Sequence, residues 1–320
     1  MKHLTLVLAT IIILMLSFSC SGQQSEKKTV VYDSTALRIA LLPTMECLPF
    51  YVAQQYGLFD SLGVQVRLLT YEASMDADTA FTDSVADACV TDLVKAILWR
   101  SDGDSIKVVM AADINLTLMT SQQARIKSAT SIKEKIVAIT RHSVLDYTAD
   151  RILESVKMES EELNKPQINN IALRTEMLIQ NQFDGALLPE PYASKSEAEG
   201  ATRVIGSAKL PAANPMLVLA VHQQAIKERR AELALVVKAY NLAAEKIDGM
   251  AADHGPQLLA CLPLKEEWPD SIVHIPSFRP AQLPGNDLID ATKKWTRSRT
   301  ILKKDVNPKE LVDSTFIKRP

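Results

Sequence analysis

The 320-residue chain has only ten glycines, and none builds a glycine-rich phosphate loop. The H-E-x-x-H and G-x-S-x-G spacings are missing too, so the common zinc-protease and nucleophile-elbow chemistries have no sequence foothold. Cysteine is scarce: four residues, at 20, 47, 89 and 261. With Cys20 set apart in the leader, the odd and scattered remainder is neither a disulfide framework nor a metal finger. Cys47 and Cys89 read as buried free thiols, or as a pair if their strands are neighbours. Charge of one sign is also lacking. Lys and Arg number 36 against 38 Asp and Glu, a net charge of −2. No basic stripe marks a nucleic-acid surface. The one long apolar run, 4–16, falls short of the roughly 20 residues a membrane helix needs. No internal repeat is apparent.

What is there begins with an export leader. Met1-Lys2-His3 is followed by the apolar run and then by Ser17-Phe18-Ser19-Cys20, a signal-peptide pattern. The cysteine directly after the apolar run resembles a bacterial lipobox, which predicts a leader over 1–20 and a lipid on Cys20. The alternatives are a cleaved soluble protein and an uncleaved anchor. The polar, aperiodic stretch 21–35 reads as a flexible tether.

From residue 36 strands and helices alternate, which predicts parallel sheet with helical crossovers. Strands are expected at 37–42, 64–69, 87–91 and 106–112, with helices at 48–56, 75–85 and 92–100. The pattern restarts with a short helix at 131–134, a strand at 136–140, a helix at 143–156, a strand at 168–173, a helix at 175–181 and a strand at 184–188. Two βαβ sets predict two lobes joined near 113–115 and 213–216. A strand at 217–221 and a long helix at 224–250 follow. That helix carries Leu233, Val236, Val237, Tyr240, Ala243, Ala244 and Ile247 on one face. The tail, 258–316, reads as helical with proline breaks.

Ligands of open parallel sheets lie beyond the carboxyl ends of the strands. The residues there are Glu46 and Tyr51 after the first strand, and Thr91-Asp92 after the third. In the second set they are Thr140-Arg141-His142-Ser143, Arg174-Thr175 and Pro189-Glu190-Pro191-Tyr192. Thr91, Asp92 and Ser143 are also good helix N-caps, and Tyr51 also suits a core. Arg141 at a helix start favours an anion. Glu46, Asp92 and Glu190 favour a cation or amine. A zwitterion suits both. Two prolines stiffen the backbone around Glu190, as expected if its carboxylate must point at something. His142 and Asp146 share a helix face, but they make neither a metal site nor a triad, since triad members converge from different elements.

Four stretches carry a family resemblance: "LPFYVAQQYGLFDSLGVQV" (48–66), "DACVTDLVKAI" (87–97), "RTEMLIQNQFDGALLPEPYA" (174–193) and "NPMLVLAVHQQAI" (214–226). Together they resemble the extracytoplasmic solute-binding proteins of ABC importers for alkanesulfonates, taurine, nitrate and thiamine-pyrimidine precursors. The resemblance implies a two-lobe periplasmic-binding-protein fold of type II, each lobe a mainly parallel α/β sheet flanked by helices. Lobe I would be 36–114 with 216–320, and lobe II 115–215. It implies a small solute held by Glu46, Tyr51, Asp92, Arg141, His142, Ser143 and Glu190, without cofactor, metal or catalysis. It also implies a monomer, lipid-anchored at the cell envelope on the periplasmic side and docking on an ABC permease. The alternatives are an enzyme of pyrimidine or menaquinone precursor synthesis on the same fold, and a sensor lipoprotein without a permease. The pyrimidine enzymes carry a cysteine-rich motif that this chain lacks.

Overall fold

The computed structural model describes residues 35–210, 216–251, 253–265, 268 and 275–317. The predicted leader, the Cys20 anchor, nearly all of the tether and most of the second join lie outside the described residues.

Two sheets organise the rest. The strands of the first are β1 (Leu37–Leu41), β2 (Val66–Thr70), β3 (Ala88–Asp92), β4 (Ile106–Asp113) and, much later in the chain, β9 (Met216–His222). Their order across the sheet is β2-β1-β3-β9-β4. The second sheet takes β5 (Leu116–Thr120), β6 (Val137–Ala138), β7 (Gly185–Pro189) and β8 (Thr202–Gly206), in the order β6-β7-β5-β8. In each sheet one strand runs against the others: β9 pairs antiparallel with β3 and β4, and β5 with β7 and β8. The odd strand is in each case the one by which the chain enters from the other sheet. The two-lobe α/β fold expected from the resemblance is the fold observed.

Helices α1 (Leu48–Gln55), α2 (Leu58–Ser61), α3 (Ser74–Thr82) and α4 (Leu93–Asp102) link the strands of the first sheet. Gly57, at φ 63°, turns the chain between α1 and α2. Gly103, at φ 109°, ends α4. The left-handed conformation costs a glycine little, which is why both turns fall there. In the second lobe come α5 (Val144–Ser155), α6 (Ile171–Ile179) and α7 (Tyr192–Ala198). The long α8 (Gln223–Met250) returns to the first lobe and buries all seven of its predicted face residues. Its Tyr240 ring lies 5.4 Å from that of Phe50 on α1. The tail holds α9 (Gly255–Leu259), α10 (Asn286–Ser298) and α11 (Pro308–Leu311) among extended stretches, so it is less helical than predicted.

Two departures bear on the site. Of the predicted strand at 168–173, residues 171–173 are the first turn of α6 and 168–170 lead into it. Asn170 caps it, accepting the Leu173 N–H at 2.9 Å, and this local bond overrides the β-preference of Ile168 and Ile171. The prediction also passed over β5, α7 and β8. β5 follows β4 after only Ile114 and Asn115, and is buried along its whole length, so both its faces carry side chains inward and no exposed face marks it as a separate strand. Gly185 opens β7 where a side chain has no room: a Cβ there would lie 2.9 Å from the Met119 carbonyl oxygen on β5. Among the described residues no helix is long and apolar enough to cross a membrane.

Candidate functional site

A cleft between the two sheets encloses about 630 Å³ of space, counting its open mouth. The crossing residues Ile114, Leu116 and Leu217 line it, as do the carboxyl-terminal ends of strands from both sheets. The lobes touch around it. The Met45 N–H donates to the Glu190 carbonyl oxygen at 2.8 Å, and the Ile171 N–H to that of Glu72 at 3.2 Å. A third contact joins α10 to α5, where the Trp295 indole N–H donates to Asp150 Oδ2 at 2.7 Å.

Three of the seven predicted residues line the cleft: Glu46, Asp92 and Ser143. Glu46 follows β1 in a single 3-10 turn and is buried. Burial pushes its carboxyl up to about 8, and the nearby Glu190 charge adds to the rise. It is therefore a neutral acid at pH 7. Asp92 caps α4 by accepting the Lys95 N–H at 3.0 Å. Ser143 caps α5, accepting the Leu145 N–H at 3.1 Å and donating to the Thr140 carbonyl oxygen at 2.7 Å. The N-cap reading given beside the ligand reading holds for both residues.

The other four lie elsewhere. The Tyr51 hydroxyl is 3.0 Å from that of Thr70, within the first lobe. Arg141 is exposed and turns to the Lys165 carbonyl oxygen, at 3.1 and 3.2 Å from two of its nitrogens. His142 is exposed at φ 53°, and its N–H meets Asp146 Oδ2 at 3.2 Å. Asp146 itself pairs with Lys165 at 2.6 Å, and among the described residues no cluster could hold a metal. Glu190 faces its own lobe. Its carboxylate pairs with Arg203 at 2.9 Å and accepts the Ser194 N–H and hydroxyl at 3.0 and 2.7 Å. Its main-chain carbonyl, not its side chain, reaches the facing lobe.

The cleft also holds charged residues the prediction did not choose. Lys95, one turn into α4, pairs with Asp78 of α3. Burial opposes its charge, but Asp78 and Asp92 outweigh burial and hold its ammonium protonated. Arg174 of α6 is 1% exposed. It appeared among the strand-end residues, but the misread strand before it hid the helix that places it. Its Nη1 donates to the Ile168 carbonyl oxygen at 2.6 Å and to Thr140 Oγ1 at 3.3 Å. Burial pulls it down only to about 10, so it keeps its charge at neutral pH. Cys47 and Cys89 are both free and buried.

Two α/β lobes, linked by strands that cross between their sheets and closing on a cleft at the strand ends, define a bilobal solute-binding fold. The chain belongs to the NMT1/THI5-like family, whose model matches residues 44–248. It is similar in structure to the alkanesulfonate-binding protein SsuA from Xanthomonas axonopodis pv. citri bound to MOPS. The identity is 14%, the TM-score 0.76, and the match covers 89% of this chain and 100% of that one. A ligand-binding component of an ABC-type import system from Staphylococcus aureus, with zinc bound, is also similar: 12% identity, TM-score 0.72, 88% of this chain and 97% of that. The desulfurization enzyme DszB shares the fold at 11% identity and a TM-score of 0.57, over 87% of this chain and 97% of that. No curated protein sequence matches significantly.

Proposed function

We propose that the protein is the solute-binding component of an ABC importer. It captures a small organic solute between its lobes and presents the closed form to a permease, tethered by a lipid on Cys20. The observation that carries this reading is the cleft itself: strand ends of both sheets line it, crossing strands join the lobes beside it, and direct bonds hold the lobes together around it. Such a site suits capture by hinge closure. Family membership and the likeness to importer components support the same reading.

The cleft is poorly equipped for thiol catalysis. Among the described residues Cys47 is its only thiol, and burial pushes it up to about 12. Among the described residues no histidine lines the cleft to deprotonate it, and the thiolate is the reactive form. A thermal-shift screen of residues 21–320 tests the proposal. The panel holds pyrimidines and thiamine precursors, sulfonates, nitrate, amino acids and metals. A saturable rise with one small solute, recovered unchanged afterwards, is the expected result; a solute concentration a hundred times Kd stabilises by about 2.7 kcal/mol. Turnover of that solute, or no rise with any, overturns it. Cys20→Ser, expressed in the native host, should move the protein from the membrane to the soluble fraction.

A further inference from the structure

Buried polar atoms are nearly always paired, so a cluster of unpaired ones calls for an explanation. Among the described residues eight buried side-chain nitrogen or oxygen atoms lack a partner. Four of them belong to residues that line the one cleft: Glu46 Oε2, Ser74 Oγ, Asn169 Oδ1 and Arg174 Nε. They come from both lobes, since Glu46 and Ser74 belong to the first and Asn169 and Arg174 to the second.

Their chemistry differs. A guanidinium only donates, and among the described residues Arg174 bonds no carboxylate. The two aspartates of the cleft are held by Lys95, Asp78 as an ion pair and Asp92 through its field and its bond to the Lys95 N–H. A buried cation without an anion is costly, so the anion has to come from the solute. Glu46 is neutral at pH 7, as its raised pKa requires, and offers one O–H. Its natural complement is an uncharged oxygen acceptor. Apolar side chains, Val90, Leu116, Ile171 and Leu217 among them, line the same cleft.

We infer that the solute is a small organic anion bearing a second, uncharged oxygen function, with its anionic head on Arg174 and that oxygen opposite Glu46. The inference rests on the solute-binding reading above and narrows it: an amine, a neutral solute or a bare alkyl anion should be a poor ligand.

Isothermal titration calorimetry on the protein tests it. Two oxygenated anions, 4-oxopentanoate and 3-hydroxypropanesulfonate, are compared with pentanoate, propanesulfonate, 5-aminopentanoate and 2-pentanone. At least one oxygenated anion should bind tenfold or more tighter than its parent anion, and the amine and ketone should bind more weakly still. Arg174→Met should weaken the best ligand about thirtyfold or more, the loss expected when a buried charged partner is removed. Arg174→Lys, which keeps the charge, should recover part of that loss and guards against a folding defect in the methionine variant. Glu46→Leu should abolish the preference for the oxygenated anion over its parent. A preference for the amine or the ketone, or unchanged affinity in both Arg174 variants, overturns the inference and leaves solute binding intact. Binding of none of the six overturns the assignment of an organic-anion site. If the wider screen is then also silent, the solute-binding reading falls with it.

Discussion

Glu46 shows what a single residue costs and contributes here. An ordinary glutamate ionises near 4.3 when unfolded, whereas this one, folded and without solute, is pushed up to about 8. Below the lower value both states hold the proton, and folding is indifferent to pH. Between the two values the unfolded chain has lost a proton that the folded chain keeps, so stability falls as pH rises, and it levels off above 8. Glu46→Gln removes that slope. Relative to the parent it should be nearly neutral at pH 4 and more stable at pH 8, by at most about 5 kcal/mol. Thermal melts without solute at the two pH values measure the difference; an equal gain at both would show that the carboxyl is not held neutral. At this scale the sequence was half legible. Strand-end position located Glu46, Asp92 and Ser143, because β1, β3 and β6 can be read from their residues. It could not say which way Glu190 turns. That depends on Arg203 of β8, a strand that carries no clear local pattern.

Among the elements, α10 does what its sequence does not announce. It packs on the first lobe through the buried Ile289, in one cluster with Val108 and Leu311. Its far end reaches α5 of the second lobe. The Trp295 ring meets that of Tyr147 edge-on at 5.6 Å, with Val94 of α4 in the same small cluster. Asp150 of α5 is the hub. It accepts from Lys165 at 2.8 Å, Ser160 at 2.7 Å and Trp295 at 2.7 Å, and it also pairs with Arg299. The contact joins the lobes close to the cleft, because α4 and α5 both begin at its wall. Trp295→Phe keeps an aromatic ring beside Tyr147 and deletes the indole N–H together with part of the ring's volume. Losing one bond to a buried carboxylate should speed solute release about tenfold. The melting temperature should change little, since Trp295 belongs to none of the three large core clusters. Stopped-flow dissociation of a bound solute reads the effect, and a lowered melting temperature with an unchanged release rate would make the contact mere packing. The amphipathic pattern of 224–250 gave α8 correctly, because its stripe is seven residues long. The latch depends on pairs more than a hundred residues apart, such as Asp150 with Trp295, and no local pattern reports these.

For the whole molecule, the contacts around the cleft differ in kind. The Met45–Glu190 and Ile171–Glu72 bonds run between main-chain groups and carry no charge. The Asp150 contact centres on a buried carboxylate; the other carboxylates that reach across, Glu72 to Asn170 at 3.4 Å and Glu161 to Arg299 at 3.8 Å, make longer contacts and are more exposed. Burial pushes Asp150 up, but Lys165, Ser160 and Arg299 together pull harder and hold it below the usual carboxylate range. A carboxylate so depressed contributes its stabilisation in full above the unfolded value, near 3.9 for aspartate, and loses it as pH falls through the lower folded value. The latch should thus stay shut through pH 5 and open only below about 4. The crossing strands still join the lobes there, so opening should widen the molecule without melting its sheets. Small-angle scattering across an acid titration should show the radius of gyration rising before the far-ultraviolet circular dichroism changes. Asp150→Asn cannot form an ion pair with Lys165 or Arg299 at any pH. It should be wider already at pH 7 and should lack the early acid step. If the parent and the variant expand together, and only as secondary structure is lost, the lobes are held by their neutral contacts, and the carboxylate hub does not govern closure.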